Sequence, residues 1–445
     1  MFRLLEDRLK AWKNDPFRMP LLLRGARQVG KSYLVETFGK EHFESLEVIN
    51  FDANPEYCAC FELSLEPQII LQKLELLSNR PIMPGKTLLF LDEIQNCPRA
   101  IMAMRYFKEK CPLLHVIGAG SLLEFTLQKT ENFSFPVGRV QFIYVRPLSF
   151  KEYLIANNTL HYPHLLENTT LNNPLPQVAH DQLINYVRQY VLIGGMPATI
   201  AVFLRTQSFL KAQEMHAIIL QTYQNDFHKY ATESRTKYLA ILFQRIPNLI
   251  GQQFKYSKID AELNPRDLKP ALESLEKSGI LHRIHATSGA GIPLKFHQNE
   301  RKFKTLFLDV GLIQQVNQIN AETIWTDDLT QINAGMMAEQ FVGQELIAYG
   351  EPFEERQLFF WEREQKDSDA EIDYLIIVDS LIIPVEVKAG KEGKLRSLKL
   401  FMKEKNSPLG IRISQRPLSY EDNILSIPFY LIDQIPRLVR SLIDE

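Results

Sequence analysis

Short, wholly apolar runs separated by amphipathic segments fill the first 150 residues of the chain. Phe2-Arg3-Leu4-Leu5-Glu6-Asp7-Arg8-Leu9 predicts a charged amphipathic helix, which Asn14-Asp15-Pro16 ends. Leu21-Leu22-Leu23 then predicts a strand buried on both faces, as in a parallel sheet. Further strands are expected at 47–51, 87–91, 115–117 and 141–145, with helical patterns between them, as at 69–77 and 100–110. Strand alternating with helix predicts a parallel α/β sheet with its ligand at the C-terminal strand ends.

Beyond residue 150 the strand pattern stops. The stretch 157–176, rich in Asn and Pro, reads as a polar surface insertion, and helices are expected over 181–227, broken by Gly194-Gly195-Met196-Pro197. Helices at 238–246, 256–259 and 265–277, then a hairpin with arms at 281–285 and 294–297, give the pattern of a winged helix-turn-helix. The remainder reads as a helix at 338–348, strands at 357–362, 370–378 and 381–387, and a helix at 394–403.

Composition narrows the class. With 445 residues, two to four domains are expected. A net charge of −2 excludes an overall field drawing the chain onto nucleic acid, so any such contact must come from a local patch. Cys58, Cys60, Cys97 and Cys111 form no C-x-x-C pair; reduced thiols are expected rather than a zinc site. No apolar run approaches the roughly 20 residues of a membrane span, so no membrane contact and a cytoplasmic setting are expected.

The sharpest chemical signal is local. Gly25-Ala26-Arg27-Gln28-Val29-Gly30-Lys31-Ser32 satisfies the phosphate-binding pattern G-x-x-x-x-G-K-[ST], directly after one strand and before the helical segment that Tyr33 enters. Its glycines let successive N–H groups turn inward around phosphate, and the helix offers its positive end to the same charge. Lys31 is expected to bridge the β- and γ-phosphates of ATP, and Ser32 to ligate Mg²⁺. Thr87-Leu88-Leu89-Phe90-Leu91-Asp92-Glu93 delivers two carboxylates from a second strand: Asp92 for the metal shell, Glu93 to activate the attacking water. Ser121 follows another strand and is a candidate for the γ-phosphate, or simply a helix cap. Arg139 is a candidate arginine finger, for its own or a neighbouring subunit, or an ordinary solvated arginine.

The segments 22–34, 90–96, 137–140 with 146–150, and 194–197 together resemble a set of prokaryotic AAA+-type ATPases whose C-terminal half is called domain of unknown function 4143. Ala26 stands where that family often has proline, and Ser32 where it often has threonine; neither change removes a needed group. The resemblance implies an AAA+ core (1–155), a helical lid (156–235), a winged helix-turn-helix (236–310) and a nuclease-like module (311–445). It also makes a homo-oligomer an expectation.

In that last segment, Ala370-Glu371-Ile372-Asp373 and Pro384-Val385-Glu386-Val387-Lys388, with Glu339 on an earlier helix, resemble the PD-(D/E)XK nuclease arrangement. Residues i and i+2 of a strand share a face, so Glu386 and Lys388 point the same way. Asp373 and Glu386 then become candidate metal ligands, Glu339 an outer ligand, and Lys388 a group that positions water. The same residues also make an ordinary cross-strand ion-pair cluster. Arg266, Lys269, Lys277, Arg283 and Lys295, with the basic segment 391–405, are candidates for phosphate contact with DNA or RNA.

The expectation is an ATP-hydrolysing protein coupling nucleotide state to nucleic acid. The alternatives are an ATP-licensed, metal-dependent nuclease, and a non-catalytic C-terminal module that binds a partner protein.

Overall fold

The computed structural model describes residues 1–121, 135–159, 161–230, 233–317, 334–363, 370–390 and 393–443. They form two compact units: residues 1–146 with 277–279 and 351–355, and residues 147–276 with 280–350 and 356–445.

The first unit contains α1 (Leu5–Asn14), β1 (Leu21–Arg24), α2 (Lys31–His42), β2 (Ser45–Asn50), α3 (Pro67–Ser78), β3 (Thr87–Asp92), α4 (Pro98–Lys110), β4 (His115–Ala119) and β5 (Gln141–Tyr144). The strands make one wholly parallel sheet in the order β2-β3-β4-β1-β5. Every residue of β3 is buried, which is why its sequence is a continuous apolar run without alternation. Leu22, Leu89 and Leu91 face Ile70 and Leu74 of α3 and Ile101, Met104 and Phe107 of α4 in one core cluster. Each such fully buried side chain contributes about 1.5–3 kcal/mol. The P-loop NTPase class expected from sequence is the fold observed.

The second unit begins with α5 (Phe150–Ala156), α6 (His161–Glu167), α7 (Gln177–Ile193), α8 (Pro197–Thr206), α9 (Phe209–Tyr230), α10 (Glu233–Arg245), α11 (Tyr256–Ile259) and α12 (Pro265–Lys277). Helices α7 and α8 are apolar, but the chain bends by 120° between them. No single helix among the described residues is long and apolar enough to cross a membrane. The polar stretch expected at 157–176 contains α6, which buries Tyr162, Pro163 and Leu166; its Asn-rich flanks conceal an apolar face.

Two hairpin arms follow, β6 (Leu281–Thr287) and β7 (Gln298–Phe307), then α13 (Val310–Val316), α14 (Ala334–Ala348), β8 (Phe359–Glu362), β9 (Glu371–Val378) and β10 (Leu381–Val387). The chain ends with α15 (Arg396–Lys405), β11 (Gly410–Ser414), β12 (Ser419–Glu421), β13 (Ile424–Pro428) and α16 (Ile435–Ile443). The second arm is not 294–297, as expected: those residues form a short 3-10 turn after Pro293, and the strand starts at Gln298. The sheet runs β12-β13-β11-β10-β9-β8-β6-β7. The hairpin and the C-terminal strands are therefore one sheet, continuous across residue 310.

Candidate functional site

At the tip of β1 the chain turns through Gly25 (φ 145°), Gln28 (φ 63°) and Gly30 (φ 90°). A Cβ at Gly25 would collide with the carbonyl oxygen of Val145, so only glycine fits that close crossing. Gly30 opens α2 and no side chain caps the helix, which leaves its positive end to an anionic ligand. Ala26 and Val29 are buried, Arg27 is half-buried, and Gln28 and Tyr33 are exposed. Arg3, a residue the sequence reading passed over, is buried under the loop; it donates to Val29 O at 2.9 Å and Arg146 O at 2.6 Å.

Lys31 Nζ donates to Gly25 O (2.9 Å) and Ala26 O (2.8 Å). Burial pushes its pKa down to about 8, against the opposing pull of Glu93 and Asp92. Ser32 Oγ lies 3.0 Å from both carboxylate oxygens of Asp92, whose Oδ2 also accepts from Asn50 Nδ2 at 3.1 Å. Burial raises the Asp92 pKa, and the Ser32 hydrogen bond opposes this. Glu93 follows in left-handed backbone (φ 50°), turning the chain out of β3, and its Oε2 accepts from Gln95 Nε2 at 2.5 Å. The structure thus brings Lys31, Ser32, Asp92 and Glu93 to one end of the sheet. A hydroxyl and a carboxylate already in contact fit the oxygen donors of Mg²⁺.

Ser121 leaves the end of β4, where Ala119 is paired beside Asp92. Its hydroxyl is buried and finds no hydrogen-bond partner among the described residues. Arg139 is placed differently. It precedes β5, whose Gln141 pairs with Leu21 at the start of β1, so it lies at the opposite end of these neighbouring parallel strands from Gly25. There it pairs with Glu109 at 3.0 Å. Strand direction and the Glu109 pair set Arg139 away from Gly25, against the expectation that it reaches a phosphate in its own subunit.

A second cluster lies in the other unit. Lys304 on β7, 1% exposed, places Nζ 2.8 Å from Glu339 Oε1, 2.5 Å from Glu371 Oε1 and 3.8 Å from Asp373 Oδ1. Burial by itself lowers an ammonium pKa, yet Glu339, Asp373 and Glu371 outweigh it and hold Lys304 above the ordinary lysine range. Asp373 Oδ2 accepts from Val387 N at 2.7 Å, and Lys388 Nζ lies 2.6 Å from Glu386 Oε1. Glu386 Oε2 is buried without a hydrogen-bond partner among the described residues. Burial raises Glu339 to about 7, with Lys304 opposing and Asp373 adding; burial and then Asp373 raise Glu386 to about 7. The expected quartet Glu339, Asp373, Glu386 and Lys388 does converge. Lys304 and Glu371 are members that sequence reasoning did not assign. Asp373 and Glu386 fit a divalent cation; Glu339 and Glu371 already hold an ammonium.

Segments 146–150 and 194–197 meet in a third locus. Gly195 N donates to Asp309 Oδ2 at 2.6 Å, Leu148 N to Gly195 O at 2.7 Å, and Phe150 N to Glu345 Oε1 and Oε2 at 3.1 and 3.0 Å. A side chain at Gly194 would collide with Asp309. Among the basic candidates, Arg266, Lys269 and Lys295 are exposed, whereas Arg283 is bound by Glu276 and set over the Phe303 ring. Its sequence-based role as a phosphate contact is thereby corrected. Lys391 falls outside the described residues.

Residues 18–154 match the AAA domain family, 184–323 a domain of unknown function (DUF8612) and 334–431 a domain of unknown function (DUF4143). No curated protein matches the chain. Among solved structures, it is similar to a Walker-type ATPase of Pyrococcus abyssi, at 17% identity over 71% of this chain and 95% of that chain, TM-score 0.42. It is also similar to the Orc1 protein of Aeropyrum pernix in complex with DNA, at 12% identity over 72% and 93%, TM-score 0.30. A third similar structure is AMPPCP-bound DnaA from Aquifex aeolicus, at 14% identity over 61% and 86%, TM-score 0.24.

Proposed function

From a chain that joins an AAA-type P-loop ATPase domain to a domain of unknown function 4143, we propose a nucleotide-driven switch that binds and hydrolyses ATP. The observation that carries this is the convergence of Lys31, Ser32, Asp92 and Glu93 at the strand ends. Gly25 to Tyr33 wrap the phosphates with backbone N–H groups, and Lys31 exchanges its two carbonyl partners for phosphate oxygens. Ser32 and Asp92 hold Mg²⁺, which neutralises charge on the phosphates. Glu93 takes a proton from the attacking water, and Ser121 offers its hydroxyl nearby. Glu93→Gln should keep ATP binding while slowing hydrolysis by about 10²–10⁴-fold. Lys31→Ala should lose binding itself. Normal turnover in both variants rejects the assignment.

A second reading is carried by the buried Glu386 oxygen that has no hydrogen-bond partner among the described residues. Here Asp373 and Glu386 hold a divalent cation and Lys388 positions water for phosphodiester cleavage, with Arg266, Lys269 and Lys295 on the nucleic-acid backbone. Cutting that requires Mg²⁺ or Mn²⁺ and vanishes in Asp373→Ala supports it; intact DNA and RNA after incubation opposes it. Nucleic-acid affinity that does not change with salt would favour a protein partner for the C-terminal half instead.

A further inference from the structure

The carboxylate cluster around β9 and α14 contains its own cation. Glu339, Glu371 and Asp373 come from two elements distant in sequence and converge on one point. Three acidic side chains crowded in a buried place repel one another and require compensating positive charge. In oxygen-ligand sites that charge is a divalent ion held by carboxylates. Here the point of convergence is the ammonium of Lys304, almost wholly removed from solvent, with the ring of Phe360 5.3 Å from it. The remaining carboxylate, Glu386, is not paired with Lys304; it takes Lys388 on one oxygen and has no hydrogen-bond partner on the other among the described residues.

We propose that Lys304 stands permanently in the place of one divalent cation, so that Glu339 and Glu371 are counter-ions of a lysine and not metal ligands. The cluster is then divided. Its Glu339–Glu371 side is closed by the protein's own charge, and only Asp373 and Glu386 keep donor capacity for an external ion. The expected outer ligand, Glu339 on α14, is withdrawn from metal binding by a residue on β7. Removing the ammonium leaves three carboxylates facing the volume it filled, which is the donor set a hard divalent cation takes.

The inference rests on the second reading above in treating this cluster as a cation site, and the two fail in different ways. Mn²⁺ stoichiometry is measured by equilibrium dialysis on the full chain, on Lys304→Ala and on Lys304→Gln. Any ion at the phosphate-binding loop is common to all three and cancels in the difference. Each variant should bind one more Mn²⁺ per chain than the unaltered protein, and adding Glu371→Gln should abolish the gain. Equal stoichiometry in folded variants overturns the proposal. No ion at Asp373 and Glu386 in the unaltered chain, with one gained in the variants, sinks the metal reading and upholds the place assigned to Lys304. Should the variants be poorly folded, melting supplies a second readout: saturating Mn²⁺ should raise their transition by roughly 5 °C more than it raises that of the unaltered chain. Variants whose melting responds to Mn²⁺ no more than that of the unaltered chain overturn it equally.

Discussion

Lys31 and Lys304 are both buried lysines at a meeting point of carboxylates, and their partners set them apart. Lys31 donates to two neutral carbonyl oxygens, with Asp92 and Glu93 acting on it only through their charge. Lys304 sits against Glu339 and Glu371 directly. Burial disfavours the charged form in both places, but it wins at Lys31, which falls to about 8, and loses at Lys304. A lysine resting on carbonyls gains when a phosphate arrives. One resting on carboxylates has nothing left to gain.

The largest test of that contrast is stability. Lys304→Ala leaves buried carboxylates uncompensated and should cost about 3–5 kcal/mol by chemical denaturation. Lys31→Ala, measured without nucleotide, should change stability by less than about 1 kcal/mol, because a reluctant charge is removed along with its hydrogen bonds. Equal losses in the two variants would erase the distinction.

Protonation sharpens it next. Phosphate beside Lys31 should lift its pKa from about 8, so ATP binding near pH 8 should take up protons and weaken as pH rises further. Calorimetric binding enthalpy should then depend on the ionisation heat of the buffer, and this dependence should be missing in Lys31→Arg.

In the second unit the carboxyls Glu339 and Glu386 are raised to about 7 and Glu345 to about 8, burial being the first cause in each. The folded state therefore holds their protons more tightly than the unfolded chain does. Their stabilising contribution is complete below about pH 4.5 and is lost as pH rises through 7 to 8. The melting transition of this unit should fall between pH 5.5 and 8.5, and Glu345→Gln should flatten the profile. A transition that climbs over the same range contradicts the burial of these groups.

The smallest effect belongs to Arg139. Its ion pair with Glu109 is exposed, so Arg139→Ala should alter stability by under about 0.5 kcal/mol and leave ATP binding unchanged. Any loss of hydrolysis should appear only at concentrations where copies of the chain associate. A deficit in a demonstrably monomeric sample would place this arginine in its own site after all.

The nucleotide site was legible because its parts are local. Gly25 to Ser32 is a single run, and Asp92-Glu93 ends a strand whose apolar composition announces a buried parallel sheet. Lys304 was not legible, since the carboxylates it meets lie far from it in sequence, on α14 and β9. Strand direction decided Arg139, and direction is a property of pairing that a run of residues cannot express. The hairpin arm was misplaced because Leu294 is buried by a turn after Pro293, while β7 opens with the polar Gln298-Asn299-Glu300-Arg301. β11 to β13 were passed over as well. Each spans only three to five residues, too short for periodicity to separate from a buried turn.

The sheet that runs without interruption across residue 310 has a practical consequence for anyone wishing to dissect this protein. A fragment beginning at 311 would bare the edge of β8 where β6 had been hydrogen-bonded, and the complementary piece would bare β6. Raw strand edges of this kind seek other chains. The shortened C-terminal piece would also part company with Lys304, leaving Glu339, Glu371 and Asp373 as an acidic knot without its core. Insolubility of such a fragment would report on where the scissors fell and say nothing about whether the intact molecule cuts nucleic acid.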